Sequence, residues 1–200
     1  VTSVEAYAFN SCAALASVTI GSGVTKLNNE TFSGCTSLVD FVIPNGITAL
    51  GNYVYLGCSK LKSVTIPKSL TSMGTDAFAN CTAFKTIDIP ATVTSIGNYA
   101  FNGCTILEYV PPIPEGVESM DFAFAECDEI TSANTIPALV QSAQGLFKGC
   151  DKLRGTIAIN ATGLVSYDRM FEDCAKTAEL EIKIAGPVSK NIKKVIAQSG

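Results

Sequence analysis

All eight cysteines of this chain stand on one ruler: Cys12, Cys35, Cys58, Cys81, Cys104, Cys127, Cys150 and Cys174, 23 residues apart with a last gap of 24. One residue type at a constant interval marks an internal repeat, and a period in this range means a solenoid of stacked units. Each unit is too small to repay the conformational entropy of ordering it, so the units fold only by stacking. The repeat residues are then occupied with packing, and function lies on the surface that the stack presents.

Other positions repeat with the cysteine. An aromatic residue stands three before each one: Phe9, Phe32, Tyr55, Phe78, Phe101, Phe124, Phe147 and Phe171. Three after it comes Leu15, Leu38, Leu61, Phe84, Leu107, Ile130 or Leu153, and only Thr177 breaks the rule. Pairs two apart follow, Val18/Ile20, Phe41/Ile43, Val64/Ile66 and Ile87/Ile89. That alternation of β-branched and aromatic residues is a strand signal with these side chains inward. Pro44, Pro67 and Pro90 end the strands at one level, since proline has no N–H for a ladder. A second apolar pair (Val24/Leu27, Ile47/Leu50, Leu70/Met73, Val93/Ile96) leads to Gly51, Gly74 and Gly97. The Ala-Phe segment that follows is expected to form a short helical turn on the opposite flank. The residue before each cysteine is Ser11, Gly34, Gly57, Asn80, Gly103, Glu126, Gly149 or Asp173, which predicts a left-handed turn there, with Glu126 the exception.

The isoleucine–proline step moves one residue later at Ile113-Pro114 and Ile136-Pro137 while the period holds, which predicts a local bulge. After Leu180, Ile182 and Ile184, the spacing of Val188, Ile192, Val195 and Ile196 is helical, with Lys190, Lys193 and Lys194 on the other face. The division expected is a solenoid over 1–186, its N-terminal repeat incomplete, and a helical C-terminal capping segment over 187–200. Val1-Thr2-Ser3-Val4-Glu5 matches the middle of a repeat, as in Val93-Thr94-Ser95-Ile96-Gly97, so a cut from a longer precursor is expected and the lack of a signal peptide says little about compartment. The fold class expected is an α/β solenoid: a right-handed superhelix of about eight 23-residue repeats with a parallel sheet on one face. Eight coils at about 4.8 Å give a column roughly 40 Å long.

Apolar residues make up 47% of the chain and charged ones 16%, which excludes a disordered chain, and no apolar run is long enough to span a membrane. The cysteines do not read as a zinc site: there is no C-x₂₋₄-C pair and no histidine. Thiols repeated in successive coils point the same way, whereas a disulfide needs converging Cβ atoms. Free, buried, structural thiols are expected, each able to offer a weak S–H donor to a turn carbonyl.

The pattern Ala-Phe-x-x-Cys-x-x-Leu-x-x-Val-x-Ile-Pro, followed by Val-Thr-Ser-Ile-Gly, resembles the BspA-type (treponemal class) leucine-rich repeat over about nine tenths of the chain. Leu146-Phe147-Lys148-Gly149-Cys150 and Met170-Phe171-Glu172-Asp173-Cys174 resemble a sister variant. The resemblance implies a leucine-rich-repeat superhelix. It further implies a surface-associated protein of the kind found in mucosal bacteria and some protozoa, where several members are implicated in adhesion to host matrix or to other microbes. It carries no catalytic residues.

If the strand pairs point inward, the outward positions are five and seven after each cysteine: Ser17/Thr19, Asp40/Val42, Ser63/Thr65, Thr86/Asp88 and Tyr109/Pro111, flanked by Lys62, Lys85 and Glu108. The candidate binding face is Asp40, Val42, Lys62, Thr65, Lys85, Asp88, Glu108 and Tyr109, with Tyr109 the aromatic anchor. The plain reading of such a face is a solvated sheet chosen for β-propensity. A second column, five before each cysteine, holds Tyr7, Tyr53, Tyr99 and Phe122 with Glu30 and Asp76 between them. It is either an aromatic shelf for a glycan or partner, or a set of rings lying over adjacent coils.

Between Lys85 and Lys148 there is no basic residue, while Asp88, Glu108, Glu115, Glu118, Asp121, Glu126, Asp128 and Glu129 fall there. That argues against nucleic acid, which wants a basic stripe, and suits a solvated rim or a basic partner. Nucleophile-elbow, P-loop and dinucleotide motifs are missing. Asn29-Glu30-Thr31, Asn80-Cys81-Thr82 and Asn160-Ala161-Thr162 match the glycosylation sequon weakly. The function expected is a surface-exposed, non-catalytic module of adhesion type. It needs neither cofactor nor metal and binds an extracellular protein or glycan, such as host matrix. The alternative is a spacer that holds another domain off the cell, with a glycan or small-molecule receptor third.

Overall fold

The computed structural model describes residues 2–174 and 180–184. Its strands are short and all parallel: β1 (Lys26–Leu27), β2 (Asp40–Val42), β3 (Ala49–Leu50), β4 (Ser63–Thr65), β5 (Ser72–Met73), β6 (Ser95–Ile96), β7 (Gly155–Ile159) and β8 (Leu180–Ile184). They form one four-stranded sheet, β1-β3-β5-β6, and the pairs β2-β4 and β7-β8. Partners such as Lys26↔Ala49, Asp40↔Ser63 and Ser72↔Ser95 lie one repeat apart, so each coil rests on the one before it.

Two expectations are corrected. The fold is a parallel-strand β-solenoid of about seven coils, not an α/β solenoid of eight, and the described residues contain no helix. The count differs because eight cysteines bound seven intervals. Helix fails in the Ala-Phe segment because every second N–H leaves its own coil: Tyr7, Phe9 and Ser11 donate to the carbonyls of Asn29, Thr31 and Ser33 at 3.0, 2.9 and 2.7 Å. Only the intervening amides close local turns, as Asn10 does on Tyr7 and Cys12 on Phe9. Left-handed residues flank each such run, at Tyr7 (φ 63) and Ser11 (φ 57), and an α-helix cannot pass through them. The helical cap expected over 187–200 lies outside the described residues.

The turn before each cysteine is left-handed in all eight copies, Glu126 (φ 55) included. The ladders fall differently from the sequence pattern. Of the alternating apolar pairs, Phe41 and Val64 lie in paired strands, and the longest sheet runs instead through the return segment at Leu27, Leu50, Met73 and Ile96. Between β6 and β7 pairing shrinks to isolated bridges such as Ser119↔Ser142, in the region of the shifted prolines. Proline carbonyls still close the turns that follow, taking N–H bonds from Ile47, Leu70, Val93, Val117 and Val140 at 3.0–3.3 Å. Ile136↔Ile159 keeps the standard register and Ser142↔Ser166 is one residue longer, so the extra residue of the last cysteine gap sits in the turn between Ile159 and Ser166.

The eight repeat aromatics form one spine through the core, each ring stacked on the next at 5.1–6.4 Å between centroids. Offset stacking adds about 0.5–1.5 kcal/mol per pair beyond burial. Coils approach most closely along the glycine column: a Cβ on Gly74 would stand 2.4 Å from the Gly51 carbonyl oxygen, and one on Gly97 2.3 Å from the Gly74 carbonyl carbon. Beside it runs a ladder the sequence reading missed. Asn29 Oδ1 accepts the Asn52 N–H at 2.9 Å, Asn52 Oδ1 that of Thr75 at 3.0 Å, and Asp121 Oδ1 that of Gln144 at 2.8 Å.

Candidate functional site

On the strand side, Phe41 and Val64 point inward while Asp40, Val42, Ser63 and Thr65 point out, as alternation requires. Val42 is 68% exposed. It stands beside Thr65 in the β2-β4 register, and Asp40 beside Ser63, whose hydroxyl donates to Asp40 Oδ1 at 2.6 Å. Asp40, Val42 and Thr65 share the wall of an open depression of about 530 Å³, which also takes in Val18, Ile20 and the Pro44–Gly46 turn.

The other members of the expected face are not gathered into that depression. Lys85 and Glu108, in consecutive coils, form an ion pair at 2.7 Å, and the Glu108 carboxylate holds the Lys85 ammonium above its ordinary range. Lys62 and Asp88 are exposed, and Tyr109 is half-buried. The face is a broad strip with one concave patch.

The aromatic column divides in two. Tyr99 and Phe122 stack at 4.8 Å, and the Phe122 ring lies over Gly145, whose missing Cβ would meet it at 2.2 Å. These rings lie over adjacent coils. Tyr7, 58% exposed, stands clear and Tyr53 is half-buried; Glu30 lies between them and accepts from the Asn10 amide at 3.1 Å. All eight residues five before a cysteine, Gly145 and Arg169 included, have positive φ, a second left-handed series that Tyr, Phe and Glu do not announce in sequence.

Seven cysteines are buried, and each Sγ donates to the carbonyl of the repeat aromatic one coil back: Cys58 to Phe32, Cys81 to Tyr55, Cys104 to Phe78 and so on, at 3.0–3.3 Å. Burial pushes the thiols up, Cys58 and Cys174 to about 12. Cys12 departs from the expectation: it is exposed. None of the cysteines is bridged.

The acidic stretch is partly answered from the next coil. Lys152 meets Glu129 at 2.6 Å; beyond the stretch, Lys148 meets Glu172 at 3.1 Å. Burial, then the charges of Asp151 and Glu129, raise the Asp128 carboxyl, and Lys152 opposes them. Among the described residues no group of three or more His, Cys, Asp or Glu side chains could hold a metal ion, and no helix is long and apolar enough to cross a membrane.

Parallel coils in 23-residue register, with one aromatic spine and a thiol bonded across each coil, define a leucine-rich-repeat solenoid. The chain belongs to the BspA-type family of that class: the model described as "BspA type Leucine rich repeat region (6 copies)" matches residues 1–108 and 72–192. No curated protein matches it. Among solved structures, a leucine rich cell surface protein from Faecalibacterium prausnitzii A2-165 is similar with a TM-score of 0.56 and 23% identity, over 98% of this chain and 72% of that one. A leucine-rich repeat protein from Bacteroides ovatus gives 0.45 and 21%, over 81% and 64%; one from T. pallidum gives 0.42 and 17%, over 88% and 77%. At these identities the likeness is one of fold.

Proposed function

We propose that this chain is a surface-exposed macromolecule-binding module of adhesion type, acting without catalysis through its strand side. The observation that carries the reading is the patch at Asp40, Val42 and Thr65: an apolar side chain left in solvent, ringed by polar ones, on a hydrogen-bonded pair of strands. A strip with one shallow hollow suits an extended protein or glycan, host matrix included, better than a small molecule enclosed in a pocket. The fold is shared with a protein described as a leucine rich cell surface protein, which supports a cell-surface location.

Binding on such a face is weak per site, because few aromatic anchors are buried there, and avidity from many copies supplies the strength. The test is capture of multivalent protein on immobilised host matrix proteins and mucosal glycans. Replacing Asp40, Lys62, Lys85, Asp88 and Tyr109 together abolishes capture and leaves thermal stability nearly unchanged. Capture that survives moves the site to Tyr7, Tyr53, Tyr99 and Phe122. The second reading is a spacer, favoured by the cross-coil pairs Lys85–Glu108 and Lys152–Glu129, which spend charged side chains on neighbouring coils. Failure of every ligand in multivalent form selects it.

A further inference from the structure

The chain holds two Asn-Gly pairs, Asn45-Gly46 and Asn102-Gly103. In such a pair the second residue has no Cβ, so its main-chain nitrogen can close on the asparagine carboxamide unhindered. The fold treats the two pairs in opposite ways. At the later one, the Gly103 N–H donates to the Ala125 carbonyl at 2.9 Å, and the half-buried Asn102 carboxamide donates to the same oxygen at 3.1 Å. Nucleophile and target are both held on the next coil. At the earlier one, the pair fills the centre of the turn that the Ile47 N–H closes on the Pro44 carbonyl at 3.0 Å. Asn45 is exposed, and neither its carboxamide nor the Gly46 N–H has a hydrogen-bond partner among the described residues. That turn lies in the wall of the depression of about 530 Å³, where Asp40 is the only charged residue.

We infer that Asn45-Gly46 is a self-modifying site, which turns a neutral wall of the depression acidic. The Gly46 nitrogen gives its proton to solvent and bonds to the side-chain carbonyl carbon of Asn45. The bond from that carbon to the carboxamide nitrogen breaks, and the nitrogen takes a proton from solvent and leaves as ammonia. Water then adds at one carbonyl or the other of the cyclic imide and opens it to aspartate or isoaspartate. Nothing is oxidised or reduced, and water is the one co-reactant. Gly103 is slow by the same chemistry, because its N–H must first give up the Ala125 carbonyl. Either product sets a second carboxylate in the depression that holds Asp40, which favours a basic partner there and opposes an acidic one. Nothing in this chemistry depends on what the depression binds.

The test incubates the whole chain in warm neutral buffer, folded and in urea, and maps its peptides by mass spectrometry over time. In the folded chain, aspartate and isoaspartate should accumulate at Asn45 at least about tenfold faster than at Asn102. In urea, where the Ala125 carbonyl no longer holds Gly103, the two sites should convert at similar rates. Asn45→Gln, whose longer side chain would need a larger ring, stops the conversion at that position. Asn45→Asp should co-elute with the aspartate product on anion exchange, which identifies the added charge. Conversion at Asn102 that matches Asn45 in the folded chain, faster native conversion at another asparagine, or none at Asn45 while the urea sample converts would overturn the inference. Because the readout is a covalent product, its failure leaves capture of matrix or glycan untouched, and failure of that capture leaves this site untouched.

Discussion

Tyr55 is the one tyrosine in the aromatic spine, and its hydroxyl is buried with no hydrogen-bond partner among the described residues. The ring is held between Phe32 at 5.7 Å and Phe78 at 5.1 Å, with Phe41 edge-on at 5.3 Å. Those contacts belong to the ring and survive Tyr55→Phe. What the substitution removes is one desolvated donor and acceptor, and leaving such a group unsatisfied costs about 1–3 kcal/mol. A small void offsets part of the gain. The net expectation is a stabilisation of about 1 kcal/mol, or a rise in melting temperature of about 2–4 °C for a chain of this size. Guanidinium unfolding followed by circular dichroism is the assay, with an unchanged m-value showing that the two unfolded states match. Phe78→Tyr, one coil on, should do the reverse and cost about 1–3 kcal/mol. A Tyr55→Phe variant less stable than the parent refutes the reasoning, because it would mean that the hydroxyl is bonded.

Stability should fall in alkali. Burial raises the thiols of Cys58 and Cys174 to about 12, so above pH 9 the unfolded chain gives up protons that the folded chain retains. The contribution is complete below the unfolded value and drains as pH rises toward 12, at about 1.4 kcal/mol per thiol per pH unit; urea midpoints between pH 8 and 11 measure it, and a flat profile contradicts it. Gly74→Ala places a Cβ against the Gly51 carbonyl and should cost about 2–3 kcal/mol by overpacking, whereas Gly21→Ala, with nothing within 4 Å, should change the melting temperature little.

What the residues announced was whatever recurs with its neighbours. The spine, the inward cysteines and the proline turns were legible because the same residue type meets its own copy one coil away. The left-handed turn before cysteine was legible in Gly34 and Asn80, and Glu126 follows because cross-coil bonds impose that backbone on every copy. The same imposition hid the second left-handed series, since nothing in Tyr53 or Phe122 favours positive φ. Local propensity misled at the Ala-Phe segment, where helix loses to bonds with the next coil. It misled again at the ladders, where β-branched side chains drew attention from the return segment. For the candidate site, alternation alone placed Asp40 and Val42 outside. The Lys85–Glu108 pair follows from the ruler, since the two residues stand 23 apart.

Seven of the eight thiols on the 23-residue ruler form a buried column, which leaves function to the surface. Native alkylation followed by mass spectrometry tests this directly. One thiol, Cys12, should react at once; the other seven should react only after denaturation, and no bridged pair should be found. Rapid labelling of Cys58, Cys81 or Cys104 in native protein, or any disulfide between consecutive coils, would contradict it.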